Sequence, residues 1–323
     1  MNTVLRPRVH ARAGGRFFPV ATTTHTPPAP RRSMRRRLSG FFYRHRGAKL
    51  TALLTPPLLW IVLVYVLAMA ALLLTAFGHE NSLTARTEYG FSLDNFKQLW
   101  DDPVNRTITL RTVGMALIVT LTDIALAFPL AYYMVRIASG KMKALLFVGI
   151  LMPLWSSYLI KAYTWRLITA QDGPINWALG KVGLGPFHLA FTYAAMWMVY
   201  VYLWLPYMIL PVYAALERVS GSYLEASGDL GARAWTTFRR VTMPLALPGI
   251  AAGSIFTFSL TLGDYIAPDI VGGNLHQFIG NVIFQEQGVA QDLPLAAAFA
   301  FVPIGIVILY LVVMNRLGAF EAL

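Results

Sequence analysis

Cysteine is absent from all 323 residues, which excludes a disulfide framework, a thiol nucleophile and a thiolate metal site. Charge is scarce. Charged residues make up 13% of the chain against 56% hydrophobic, about half of the roughly 25% charge that a soluble domain carries, so the expected solvent is lipid. Acidic residues are missing altogether before Lys49, a stretch with twelve basic residues from Arg6 to Lys49, while the rest of the chain carries fifteen of each sign. The net charge of +12 therefore belongs to a tail and not to the fold. A short basic arm beside a long apolar run keeps the amino terminus in the cytoplasm and favours anionic lipid headgroups; nucleic acid is not its expected partner.

Residues 1–49 read as a disordered basic cytoplasmic tail, since residues 22–30 are rich in Pro and Thr without apolar periodicity, and Met34 is a candidate start. Arg31-Arg32 and Ala68-Met69-Ala70 imitate a twin-arginine signal with its cleavage site, and the acid-free beginning resembles a transit peptide. The apolar run at 50–77 exceeds the about 7–15 residues of a signal-peptide core, so it reads as a span.

Catalytic signatures are missing too. A nucleotide-binding Gly-x-x-x-x-Gly-Lys-Ser/Thr loop fails at Gly180-Lys181, where Val182 follows and Ile175 occupies the first glycine position. His-Glu-x-x-His and Gly-x-Ser-x-Gly are absent and the six histidines are scattered, so no catalytic residue and no metal site is expected.

What is present is a set of apolar runs. Crossing the hydrocarbon core takes about 20 apolar residues, and six stretches qualify, near 51–77, 108–134, 144–168, 189–212, 245–262 and 295–314. The expected fold is an all-α polytopic membrane protein with six transmembrane helices and both termini cytoplasmic. Cytoplasmic segments then hold Arg136, Lys141, Lys143, Arg218, Arg233, Arg239, Arg240 and Arg316, and the outer loops only Arg86, Lys97, Arg106 and Lys181. Residues 241–315 contain no Lys or Arg, and the outer loops are acidic. An acidic mouth concentrates cationic solutes, but the same bias follows from exclusion of positive charge from the outer face. Pro129, Pro153, Pro206, Pro211 and Pro303 are candidate kinks whose freed carbonyls can face a pathway.

Between the fourth and fifth spans lies a polar segment, 214–244. Ser222-Tyr223-Leu224-Glu225 fits a capping box, Gly231 a left-handed helix terminator, and a second helical stretch over 232–242 is expected to end at Met243-Pro244. Such a helix–turn–helix could be a docking knob for a soluble motor or an ordinary capped loop.

Glu225-Ala226-Ser227, then Gly231, then Val241-Thr242-Met243-Pro244 resembles the EAA loop of binding-protein-dependent ABC importer permeases: Glu-Ala-Ala, three residues, Gly, nine residues, Ile, any residue, Leu, Pro. The spacing is kept throughout, with Ser227, Val241 and Met243 as departures. The resemblance implies a type I importer permease (MetI-like) core over 108–314 with its coupling loop at 220–244. A first helix and outer loop at 50–107 precede it and a short cytoplasmic tail at 315–323 follows. It further implies ATPase coupling through Glu225, Ala226, Ser227, Gly231 and Pro244. The implied partners are an ABC ATPase dimer, a second permease subunit and a periplasmic solute-binding protein. No cofactor is implied in this chain, ATP and Mg being held by the ATPase. Pro153–Ile160, Leu205–Pro211, Gly272-Gly273-Asn274 and Ile279–Ile283 are similar to polyamine permeases of the first-subunit kind, which implies spermidine or putrescine as solute.

Candidate solute contacts are few. Asp264 with neighbouring Tyr265 suits an alkylammonium by charge pairing and cation–π attraction, or is a helix-end aspartate in water. Asp123, inside the second span, reads as interhelical glue to Lys161, Arg166 or a sister subunit, or as an amine contact. Trp155 and Tyr158 line a path or pack in an interfacial belt. The alternative function is an ion-coupled secondary transporter using Asp123.

Overall fold

The computed structural model describes residues 46–81, 86–273 and 276–316. The disordered tail expected over 1–49 falls almost entirely outside them, as do Asn274 and the residues after Arg316.

The chain divides into two units, residues 1–67 and 68–323. The first holds the start of α1, Arg46–Ala76, whose apolar stretch from Leu53 presents side chains such as Leu53 and Trp60 to the surroundings. In the second, α1 ends in a small hairpin, β1 (His79–Asn81) antiparallel to β2 (Arg86–Glu88), with His79 opposite Glu88. Helix α2, Asp94–Asp101, is fastened beneath it: the Asn95 amide donates to the carbonyls of Ala76 (2.9 Å) and Gly78 (2.8 Å).

Helix α3, Pro103–Arg136, starts where Asp102 accepts the Val104 N–H at 2.8 Å with proline in the first turn, ahead of the expected boundary. The third expected span is not one straight helix. It is α4 (Gly140–Trp155) and α5 (Tyr158–Ile168), bent by 99°. Ser156 and Ser157 are extended at the break, and the Pro153 carbonyl accepts from Lys161 Nζ (3.1 Å) and the Ser156 hydroxyl (3.0 Å), local bonds that replace the interrupted ladder. Of the five candidate kinks only Pro153 stands at a break; the helices continue through Pro129, Pro206, Pro211 and Pro303.

A short helix, α6 (Pro174–Lys181), leads to α7 (Tyr193–Arg218), followed by α8 (Gly221–Asp229) and α9 (Ala234–Thr237). A π-turn at Phe238–Thr242 joins α9 to α10 (Met243–Gly263), so 234–263 is one continuous span. After a second π-turn, Pro268–Gly272, come α11 (Ile279–Gln285), a third π-turn (Glu286–Ala290) and α12 (Leu293–Arg316). With the bent pair counted as one, six spans result.

Helices α3, α7 and α10 pack on one another and form the core. Toward one end it is built on Val119, Met196, Tyr200 and Phe278, and toward the other end, nearer the loop of α8 and α9, on Ala127, Met134, Met208 and Leu216. Hydroxyls inside these helices are paid out locally: Thr112, Thr120, Thr257 and Thr261 each donate to the carbonyl four residues back, which satisfies them without water. Glycines set the α7–α10 distance. A Cβ on Gly249 would stand 2.5 Å from the Pro211 carbonyl oxygen and from Ala215 Cβ, so only a glycine permits this approach.

Candidate functional site

Two clusters stand apart from the packing. The first is the two-armed loop of α8, α9 and the π-turn. Its helix start differs from expectation: Ser220, in extended backbone, is the N-cap and accepts the Ser222 N–H at 3.3 Å, so Ser222 lies inside the helix and forms no capping box with Glu225. Its end is as expected. Gly231 is left-handed at φ +77°, and Gly231 N–H donates to the Gly228 carbonyl (2.8 Å) while Ala232 N–H donates to that of Ser227 (3.0 Å). This is a Schellman termination, which needs a residue free to adopt that φ.

Pro244 does not stop the second arm. It stands in the first turn of α10, beyond the π-turn, where Met243 N–H reaches back to the Phe238 carbonyl. The wider turn takes in a residue that would break a regular α ladder. The arms are tied by Ser227 Oγ and Thr237 Oγ1 at 2.8 Å, and Phe238 stands edge-on to Phe128 of α3 at 5.5 Å. The loop thus touches α3 through a ring contact and continues into α10 through the chain itself. Glu225 and Ala226 are exposed, as are Leu230 and Trp235 (88% and 69%), an apolar tip whose Trp235 ring stacks on Phe238 at 5.2 Å. Below the loop, Lys143 Nζ meets Glu217 Oε1 at 2.9 Å, Tyr213 donates to the same oxygen (2.6 Å), and Arg136 Nη2 donates to the Val219 carbonyl (2.7 Å).

The second cluster surrounds Asp264, just beyond the end of α10. It is not a helix-end aspartate in water. Half-buried, it accepts the Tyr158 hydroxyl and the N–H groups of Ile266 (3.1 Å) and Ala267 (3.3 Å). Burial pushes its carboxyl above the usual carboxylate range, opposed by the hydrogen bond from Tyr158 and the two backbone donors. The Tyr158 ring stacks with Trp204 of α7 (6.0 Å), which leads to Tyr207 (6.0 Å). Asp264 and Tyr158 are therefore together, 106 positions apart in sequence.

Tyr265 is not in this cluster: its ring stacks on Phe284 (4.7 Å) and its carbonyl accepts from Asn281 Nδ2 (2.8 Å). Trp155 points away at 84% exposure. The aromatic partner of Asp264 is thus supplied by α5 and α7, not by its sequence neighbour. Trp204 gives no sequence signal that separates it from the other aromatic residues of its span. Gly280 lies against the site from below, where a Cβ would sit 2.7 Å from the Asp264 carbonyl oxygen.

Asp123 is fully buried, and neither carboxyl oxygen has a hydrogen-bond partner. The expected glue to Lys161 or Arg166 is not made. Lys161 binds the Pro153 carbonyl, and Arg166 lies over the Phe191 ring at 5.2 Å. A buried carboxyl with no partner costs about 1–3 kcal/mol. Asp123→Leu is accordingly expected to raise the thermal midpoint of the purified protein by several degrees; an unchanged or lower midpoint would mean that the carboxyl has a partner in the folded protein.

A bundle of this build, with a two-armed loop ahead of its last two spans, defines a transport permease. Residues 38–320 match the family described as "Binding-protein-dependent transport system inner membrane component", and the chain belongs to that family. It is 47% identical over 300 residues to the inner membrane ABC transporter permease protein YdcU of Escherichia coli (strain K12), a match over 89% of this chain and 95% of that protein. It is 32% identical over 241 residues to PotB of Salmonella typhimurium (strain SL1344), a spermidine/putrescine transport system permease protein, over 74% and 83% of the two chains. Among solved structures it is similar to a chain of a bacterial ABC transporter involved in the import of the acidic polysaccharide alginate. That match has a TM-score of 0.66 and 17% identity, covers 87% and 99% of the two chains, and bears on the fold alone. The chain is a multi-pass inner-membrane permease subunit of an ABC importer with the MetI-like fold.

Proposed function

We propose that this permease moves a small cationic organic solute, a polyamine such as spermidine or putrescine, inward by alternating access. A periplasmic binding protein delivers the solute, a second permease completes the pore, and an ATPase dimer drives the cycle by pushing on 220–244 from the cytoplasm. Glu225, Ala226, Ser227, Gly231 and Pro244 carry that contact, which the exposed tip around Leu230 and Trp235 supports. The chain itself holds no cofactor.

The observation that carries the solute reading is the Asp264 carboxyl hydrogen-bonded to the Tyr158 hydroxyl, with the Tyr158 ring stacked on Trp204. An anion at the edge of a pair of stacked rings suits an alkylammonium group, at about 0.5–2 kcal/mol for each ring contact. The likeness to PotB points the same way. The test is uptake of labelled spermidine and putrescine by the reconstituted importer, with Asp264→Asn expected to lower uptake about tenfold, the factor of a lost contact of 1.4 kcal/mol. Equal uptake by Asp264→Asn would remove Asp264 from the path, and a purified binding protein that captures neither amine would remove polyamines.

A pH dependence follows. Cation capture needs the carboxylate, and burial raises the Asp264 pKa, so the charge is lost as pH falls at a higher pH than for an exposed aspartate. Uptake is expected to decline on acidification with a midpoint above the ordinary carboxylate range, and Asp264→Asn is expected to abolish that step. An identical pH profile in the variant would assign the step to another group.

A further inference from the structure

Between α7 and α10, at the end that carries the loop, runs a groove of about 390 Å³. Its walls are residues 211–218 of α7 and 245–252 of α10, two antiparallel segments of seven steps each, about 10 Å at 1.5 Å per residue. The end away from Arg218 is lined by small or ring-closed side chains, Pro211, Ala214 and Ala252, and by the glycine that brings the helices together.

Polarity along the groove is graded. Arg218, the last residue of α7, and Tyr223 of α8 stand at the mouth beside Leu245, and no acidic residue lines any part of it. Glu217, next in sequence, is held by Lys143 and Tyr213. Arg218 is exposed and makes no ion pair among the described residues.

A slot that is apolar along its length and ends in one unpaired guanidinium has the gradient of a phospholipid. A membrane-spanning helix would present apolar surface along its whole length and would leave the guanidinium without a counter-charge. We propose that this groove binds one anionic phospholipid of the inner leaflet, its phosphate on Arg218 and an acyl chain lying along the groove over the α7–α10 contact. The proposal rests on the cytoplasmic orientation of the loop given above. A guanidinium can take a phosphate through two parallel hydrogen bonds, and basic residues at the cytoplasmic end of spans attract anionic headgroups. Because Tyr223 belongs to α8, the lipid would touch the coupling loop itself.

The test uses the assembled importer purified in mild detergent. Native mass spectrometry is expected to find phosphatidylglycerol or cardiolipin retained by the wild type. Retention should be about fivefold lower in Arg218→Gln, the factor that one basic residue near an anionic surface contributes. It should be restored in Arg218→Lys and lost in Ala252→Trp, which fills the slot. In phosphatidylcholine vesicles, added phosphatidylglycerol is expected to raise uptake by the wild type and not by Arg218→Gln. Equal retention in all variants, or equal retention of phosphatidylethanolamine, would overturn the proposal. So would a disulfide between Ala252→Cys and a cysteine placed in the second permease, since a protein would then fill the groove. Labelling of Ser227→Cys from outside only would sink the orientation reading instead; lost lipid discrimination with the label confined to the cytoplasm would sink this proposal alone.

Discussion

Gly231→Val is expected to reduce ATP-driven uptake about tenfold in reconstituted complexes that still assemble. Gly231 holds φ +77°, a region that costs an ordinary L-residue about 1–2 kcal/mol and is worst for a β-branched one. At 1.4 kcal/mol per factor of ten, the strain is enough to displace the α8 termination from its working form. No atom lies within 4 Å of a Cβ built on Gly231, so lost activity would report backbone conformation and not a clash. Asn tolerates the left-handed region, and Gly231→Asn is expected to keep most of the uptake. Equal transport by the Val and Asn variants would show that the turn after α8 does not depend on its φ.

Gly249→Val is expected to remove most of the assembled protein from the membrane, and Gly249→Ala to lower the thermal midpoint clearly. The added Cβ meets the Pro211 carbonyl oxygen and Ala215 Cβ at 2.5 Å, atoms fixed to the α7 backbone that cannot swing aside. Overpacking of this kind costs about 1–3 kcal/mol or more, and here it falls on the most extensively packed helix pair. Two controls separate packing from helix propensity. Gly253→Ala meets Met208 Sδ at 2.6 Å, a flexible thioether, and the Met208 backbone only at 3.1 Å, and should be milder; Gly114→Ala meets nothing within 4 Å and should be tolerated. Membrane yield and melting of the purified protein measure all four. A stable Gly249→Val protein would mean that α7 and α10 are not in this contact.

The spans were readable because apolar length is a property of a single segment: α3, α10 and α12 each contain the run expected of them, α1 stops one residue short of its expected end, and α7 begins four residues after its expected start, at Tyr193. The loop was readable for a similar reason: Gly231 terminates α8 through atoms within five residues of itself. Errors arose where a local signal had two solutions. Ser220 and Ser222 are both good caps, and the one that follows Val219 in extended backbone is used. Pro244 is a helix stop only if the ladder before it is regular, and the π-turn at Phe238–Thr242 removes that condition. Gly249 and Gly253 carry the Gly-x-x-x-Gly spacing, but the spacing alone does not say that its partner is Pro211 and Met208 of α7. The Asp264 cluster was half legible. Asp264 and Tyr158 were candidates separately, whereas their meeting depends on the bend after α4, which no run of apolar residues announces.

That bend gives the bundle a front and a back. Helix α4 has 16 residues, about 24 Å, which falls short of the roughly 30 Å of hydrocarbon it would have to cross. The corner therefore sits within the depth of the bilayer and shows exposed Ser156, Ser157 and the Trp155 indole there. Non-helical backbone at that depth is tolerated only beside protein or water. This flank is consequently closed to acyl tails and open to a polar or protein neighbour.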